Sequence, residues 1–232
     1  MHRITLSITL LLAATCADAA WYQKTDGTIV DPIQIRSSGG DHSYSGNNLE
    51  SHANLTGADL QNAYLFRADL EGANLTNANL GQAFLGQARL MDADLTGADL
   101  SDAWVRLADL TGADLSGSDM TGVDLSGADL INVDLDGADL SGALLGGTDL
   151  SGANLSGSNF SDLAYHDEAT GTTWTDAFYY TDNEPTWDSD MDAAWRTSVG
   201  ILAVAPTSSV PEPSTLLLAL IGLALLPRRR RR

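Results

Sequence analysis

From Ala53 to Asp162 the apolar positions recur every five residues. The phrase runs Ala53-Asn54-Leu55-Thr56-Gly57, then Ala58-Asp59-Leu60-Gln61-Asn62, and on to Ser158-Asn159-Phe160-Ser161-Asp162, 22 pentads without a break. The centre is Leu except at Val105, Met120 and Phe160. Two positions earlier stands Ala, or one of Ser118, Val123, Val133, Thr148 and Ser158. On an α-helix a step of five scatters the leucines around the axis instead of forming a stripe. On a flat strand an odd step sends successive leucines to opposite faces. The chain must therefore turn once per pentad with each Leu inward, which is a solenoid.

The phrase A-(D/N)-L-x-x resembles the signature of the pentapeptide-repeat family. That resemblance implies an all-β fold, a right-handed quadrilateral β-helix with four pentads per coil. Residues i and i+20 would then stack at roughly 4.8 Å, giving about five and a half coils and a rod roughly 26 Å long. The residues themselves hint at the same twenty-residue period. Five outward positions before the central residue are neither Asp nor Asn, and four of them, Tyr64, Phe84, Trp104 and Leu144, share one column. Each inward Leu contributes roughly 1.5–3 kcal/mol of burial. The Ala positions must stay small, because a larger side chain would compete with Leu for a narrow interior. Gly recurs two residues after the centre, where a corner needs positive φ.

Twelve Asp and five Asn occupy the position before the centre. The plain reading is turn chemistry, since Asx side chains bond nearby backbone amides at corners. A sharper reading is an acidic surface that imitates a nucleic-acid backbone, because some cytoplasmic members of the family inhibit DNA gyrase as DNA mimics.

The flanks carry other signals. Residues 1–19 have a basic start at His2 and Arg3, an apolar run from Ile4 to Ala14 and the small tripeptide Ala17-Asp18-Ala19, the layout of a secretory signal peptide read by the Sec machinery. Residues 20–48 read as a short cap, with Trp21 to Thr25 and Thr28 to Val30 in two strands around a hairpin turn at Asp26-Gly27. The repeat region spans 49–162, and 163–209 reads as a C-terminal cap and linker whose aromatics, Trp174, Phe178, Tyr179, Tyr180, Trp187 and Trp195, pack over the open end. Asp188, Asp190 and Asp192 have the spacing of a Ca²⁺ loop, but its Gly and distal Glu are missing, so an exposed acidic loop is the competing reading. Residues 210–232 join Pro211-Glu212-Pro213, an apolar run from Ser214 to Leu226, and Arg228, Arg229, Arg230, Arg231 and Arg232. This is similar to the PEP-CTERM sorting signal of Gram-negative bacteria. The resemblance implies only transient membrane contact through a C-terminal helix, and cleavage near Pro-Glu-Pro by an exosortase. A permanent tail anchor is the alternative, although the run is short for a spanning helix.

Composition narrows the function. The formal charge of −19 argues against binding nucleic acid, whose phosphates demand Lys and Arg. Cys16, the single cysteine, lies in the leader, and histidines at 2, 42, 52 and 166 suggest no metal or catalytic centre. No catalytic constellation or nucleotide-binding glycine motif is present, so neither an enzyme nor a cofactor is expected. The expectation is a non-enzymatic exported scaffold or interaction surface of the envelope or extracellular matrix. PEP-CTERM proteins as a group are linked to exopolysaccharide production, which is what that resemblance implies for this chain. The gyrase-type DNA mimic, which requires cytoplasmic residence, is the runner-up. An ice- or surface-binding Thr ladder is a third reading, but Thr56, Thr76 and Thr96 give way in their column to Ser116, Asp136 and Ser156. The candidate partner face is the aromatic column: Tyr64, Phe84 and Trp104, flanked by Phe66, Arg67, Arg106 and Leu107. It would meet exopolysaccharide or a second copy of the protein. A stack that merely stiffens neighbouring strands, or shelter beneath the N-terminal cap, is the alternative.

Overall fold

The computed structural model describes residues 22–23, 29–30, 34–35, 49–163 and 171–205. Within the repeat, every outward residue bridges in parallel to the residue twenty positions later: Asn54 to Asn74, Asp59 to Asn79, Tyr64 to Phe84, Asp69 to Arg89, and so on along the rod. Four pentads therefore make one coil, and the four columns define four faces, named here for Asn54, Asp59, Tyr64 and Asp69.

One pentad explains why the phrase has the residues it does. In Ala93-Asp94-Leu95-Thr96-Gly97, Ala93 N–H donates to the Leu90 carbonyl across the corner (3.1 Å), and Asp94 N–H to Ala73 one coil back (3.0 Å). Leu95 N–H donates to Asp114 (2.7 Å) and Gly97 N–H to Ser116 (2.9 Å), both one coil ahead. The fifth donor, Thr96 N–H, has the Asp94 Oδ1 as its acceptor (3.0 Å). All five backbone donors are thus satisfied, and the Asx side chain closes the account. The same bond from residue i+2 forms at every Asx of this position except Asp69 and Asp129.

The corner residue two after the centre has positive φ throughout, from Gly57 (φ 66°) to Asp162 (φ 51°). Gly, Asn and Asp take that conformation readily; Leu107 (φ 56°) does not. The inward column is fully buried, with Leu60, Leu65, Leu70 and their successors at 0% exposure and the Ala positions equally enclosed. Thr148 and Ser158 return their hydroxyls to the Leu125 (3.0 Å) and Leu155 (2.6 Å) carbonyls. Ser118 Oγ, also buried, has no partner.

At the N-terminal end, β1 (Tyr22–Gln23) pairs antiparallel with β2 (Ile29–Val30), Tyr22 opposite Val30 and Gln23 opposite Ile29, one residue out of step with a two-residue turn at Asp26-Gly27. A third strand, β3 (Gln34–Ile35), was not expected. It pairs antiparallel with β4 (Ala63–Tyr64) and so closes the free edge of the rod at the foot of the Tyr64 face.

The parallel ladder runs past Asp162. Thr173 bridges Asp149, Phe178 bridges Asn154 and Thr186 bridges Asn159, so residues 171–187 add an irregular turn in which Trp174, Tyr179 and Trp187 replace Leu. Phe160 stacks on Trp187 at 5.5 Å and meets Trp174 edge-on at 5.8 Å, which in turn meets Trp195. These rings plug the rod. The chain then forms α1 (Ala193–Val199), capped by Asp192 at its start and by Gly200 (φ 89°) at its end, and β6 (Leu202–Val204), parallel to β5 (Phe178–Tyr180).

Candidate interaction face

The Asn54 and Asp59 faces present carboxylates and amides tied into corner turns at every rung, as are Asp109 and Asp149 on the Asp69 face. The Tyr64 face differs over three successive rungs. Tyr64 and Phe84 lie 5.1 Å apart with their planes tilted by 34°, and Trp104 meets Phe84 edge-on at 5.8 Å. Phe66 reaches across from the corner to stack on Phe84 at 5.6 Å and 13°. Gly86 makes this possible, since a Cβ there would stand 3.3 Å from the Phe66 ring. Arg67 lies over Phe66 (5.4 Å to the centroid) and donates from Nε to the Gln87 Oε1 (2.9 Å). Arg106 faces Asp124 at 3.7 Å. The result is a knobbed ridge rather than a flat plane of rings.

Two features show that corner stability did not select this ridge. Phe84 and Trp104 carry no oxygen, so they cannot accept the i+2 amide that Asp or Asn accepts elsewhere, a bond worth about 0.5–1.5 kcal/mol. Leu107 holds a left-handed corner that costs a branched L-residue about 1–2 kcal/mol, and its side chain is 59% exposed. Trp104 is 46% exposed. Apart from Leu202 on β6, these are the exposed large apolar side chains among the described residues.

The neighbouring Asp69 face is electrostatically unbalanced. Arg89 bridges Asp69 (3.3 Å) and Glu71. Beyond it, Asp109, Asp129 and Asp149 stack in succession. Partial burial, then repulsion from Asp109 and Asp149, pushes the Asp129 carboxyl above the usual carboxylate value. On the Asn54 face the opposite holds. Hydrogen bonds from the side chain and backbone of Thr96, and from Thr76, hold Asp94 below that value against a smaller opposing effect of burial.

A family model for pentapeptide repeats matches eight copies in this chain, over residues 51–82, 73–112, 108–147 and 134–163. The chain belongs to the pentapeptide-repeat family. No curated protein matches it. Among solved structures it is similar to the pentapeptide repeat protein Rfr23 of the cyanobacterium Cyanothece 51142, at 28% identity and TM-score 0.39, covering 43% of this chain and 64% of that one. It is also similar to HetL, a pentapeptide repeat protein involved in heterocyst differentiation regulation from Nostoc sp. strain PCC 7120, at 34% identity and TM-score 0.28, covering 55% and 68%. Full-length QnrB1, a plasmid-mediated fluoroquinolone resistance protein, is 19% identical with TM-score 0.28, covering 78% and 92%. The twenty-residue parallel ladder agrees with the fold of pentapeptide-repeat proteins, which form right-handed quadrilateral β-helices.

The remaining sequence candidates of this pentapeptide-repeat protein fall elsewhere. Asp188 is buried and accepts from the Leu163 (3.2 Å) and Asp190 (3.2 Å) amides, while Asp192 caps α1 through Trp195 N–H (2.7 Å). Among the described residues no group of three His, Cys, Asp or Glu is placed to hold a metal ion. Thr56 and Thr76 turn their hydroxyls to Asn54, Asn74 and Asp94 (2.7–3.1 Å) instead of presenting a free ladder. The signal peptide at 1–19 and the sorting signal, with Pro211, Glu212, Pro213 and Arg228 to Arg232, lie outside the described residues. Among the described residues no helix is long and apolar enough to cross a membrane.

Proposed function

We propose that this chain is a non-enzymatic, exported β-solenoid of about five and a half regular coils, serving as a scaffold and interaction surface in the bacterial envelope or extracellular matrix. Export rests on the two terminal segments. A Sec leader at 1–19 and a Pro-Glu-Pro, apolar and poly-Arg tail at 210–232 form a matched pair, with the tail recognised by an exosortase. The terminal arginines hold the C-terminus on the cytoplasmic side until cleavage and leave the rod outside.

The observation that carries the interaction role is the Tyr64 face. Three consecutive rungs forgo the corner bond and one corner accepts a strained Leu, all to present Trp104 and Leu107 beside two arginines. Aromatic and Arg residues are the side chains that dominate interface energetics. The acidic columns support a DNA mimic less well, because their carboxylates already serve the backbone turns. Phe84→Ser with Trp104→Ser tests the reading in the producing organism. The β-helix circular dichroism should persist while retention of the protein in the matrix fraction falls. Unchanged retention by a folded double mutant would make the ridge purely structural.

A further inference from the structure

The Tyr64 face does not end at Trp104. Its next two rungs are Asp124-Leu125-Ser126-Gly127 and Leu144-Leu145-Gly146-Gly147. Outward, these present one carboxylate, one half-buried Leu and otherwise Ser and Gly, so the face drops from a ridge to a shallow floor. Charge divides at the same point. Arg67, Arg89 and Arg106 are the basic residues of the repeat region, and residues 107–163 contain no Lys or Arg. The floor is instead bordered by Asp129 and Asp149 on the adjoining Asp69 face, a stack that lacks a cation of its own.

We infer that the Tyr64 face is self-complementary and takes a second copy of this chain, antiparallel, with the Tyr64 and Phe84 rungs of each copy on the floor of the other and the two Trp104 rungs meeting at the axis. This rests on the reading of the ridge as an interaction surface and names its partner. A two-fold axis lying across the face reverses the rungs and keeps the columns. With Trp104 opposite Trp104, Tyr64 meets Leu144 and Phe66 meets Gly146. Arg67 meets Gly147, beside the partner copy's Asp149. The two Arg106 side chains face each other across the axis, each neutralised by its own Asp124 (3.7 Å), and Phe84 lies over the Asp124 rung of the other copy. Both surfaces share one rung spacing of roughly 4.8 Å, so a match at one rung is a match at all.

The ring geometry favours a protein partner over a glycan. Trp104 stands 71° from Phe84, and Phe84 34° from Tyr64, so no common plane exists on which successive sugar rings could stack. Five rungs of one face cover roughly 300 Å² per copy, well below the 800 Å² or so of a standard stable interface. The pair is therefore weak, and it forms where the protein is concentrated, as in a matrix.

The test uses substitutions that return the repeat's own residue, so the coil keeps its fold. Trp104→Asp removes the ridge and Leu144→Asp alters only the floor; each restores an Asx acceptor to its corner. Sedimentation equilibrium of the natively matured protein, from about 20 μM to 2 mM, should show a monomer–dimer equilibrium. Each substitution should weaken it at least 5-fold. Arg67→Asp should weaken it similarly, and adding Asp149→Arg should restore it, which only the antiparallel register allows. A monomeric wild-type protein at 2 mM overturns the inference. So does a Leu144→Asp protein that dimerises normally. Loss of matrix retention in Trp104→Asp with none in Leu144→Asp would also overturn it, while leaving the ridge as the binding surface for another partner.

Discussion

The same substitution, Asp→Asn, should have opposite effects at Asp129 and at Asp94. Asp129 stands between Asp109 and Asp149 with no cation beyond Arg89 in its column among the described residues. Two unit charges about 5 Å apart in water repel by about 0.8 kcal/mol, so two neighbours give an unscreened ceiling of about 1.6 kcal/mol. The side chain is largely exposed, and with a Debye length of about 8 Å at 0.15 M salt roughly half of this repulsion survives, beside a burial cost that salt does not screen. At 1 M salt about a fifth remains. Asp129→Asn should therefore stabilise the fold by about 1 kcal/mol at low salt and by a few tenths at 1 M. The folded-state pKa of Asp129 lies above its unfolded value, so the repulsion acts fully above the folded pKa and fades as pH falls through it. The gain from Asp129→Asn should disappear in acid. Asp94 is held below its unfolded value, and its contribution is full above the unfolded pKa and lost as pH falls through the folded pKa. Asp94→Asn keeps the corner bond, as Asn74 shows (3.1 Å from Thr76 N–H), but loses charge assistance, and should cost a few tenths of a kcal/mol at neutral pH. Melting followed by circular dichroism at 10 mM, 150 mM and 1 M NaCl, at neutral and acid pH, reads both variants. Equal shifts at all three salt concentrations, or shifts of the same sign for the two variants, would refute the electrostatic account of the columns.

Three further outcomes follow from the packing. Ser118→Ala removes a buried hydroxyl without a partner and should raise stability by about 1 kcal/mol in urea titrations. Phe160→Ala opens the aromatic plug beside Trp187 and should cost about 3–5 kcal/mol, read as a lowered denaturation midpoint. Leu107→Asn exchanges a strained corner for one that Asn62, Asn77 and Asn132 already occupy; relief of about 1 kcal/mol offsets the lost partial burial, leaving the melting temperature within about 2 °C of wild type.

The rod was legible because one constraint repeats. A period of five with Leu inward admits a solenoid and excludes helix and flat strand, and the column of Tyr64, Phe84 and Trp104 already marked the twenty-residue coil. The Asx preference was legible as turn chemistry, although the donor it serves, the i+2 amide, appears only once the other four donors of a pentad have found their carbonyls. Strand β3 was not legible, since two residues after Pro32 carry no periodic signal and its partner, Ala63–Tyr64, is distant in the chain. The turn at 171–187 was hidden because Trp replaces Leu. In hindsight Ala177-Phe178-Tyr179 keeps the small–outward–inward order, with an aromatic at the centre. Asp192 read as part of a Ca²⁺ loop or an acidic loop and not as a helix cap, although Gly200 eight residues on was the available sign of the cap. The ridge was visible as a column, but its tilted rings depend on side-chain directions that spacing alone does not give.

The claim that matters most is that this solenoid works outside the cytoplasm. Intact-mass measurement of the natively produced protein in each cell fraction addresses it directly. The account predicts a species in the envelope or extracellular fraction that begins near Ala20 and ends near Pro211-Glu212-Pro213. A cytoplasmic species that retains Met1 and Arg228 to Arg232, at the full 24.4 kDa, would contradict it.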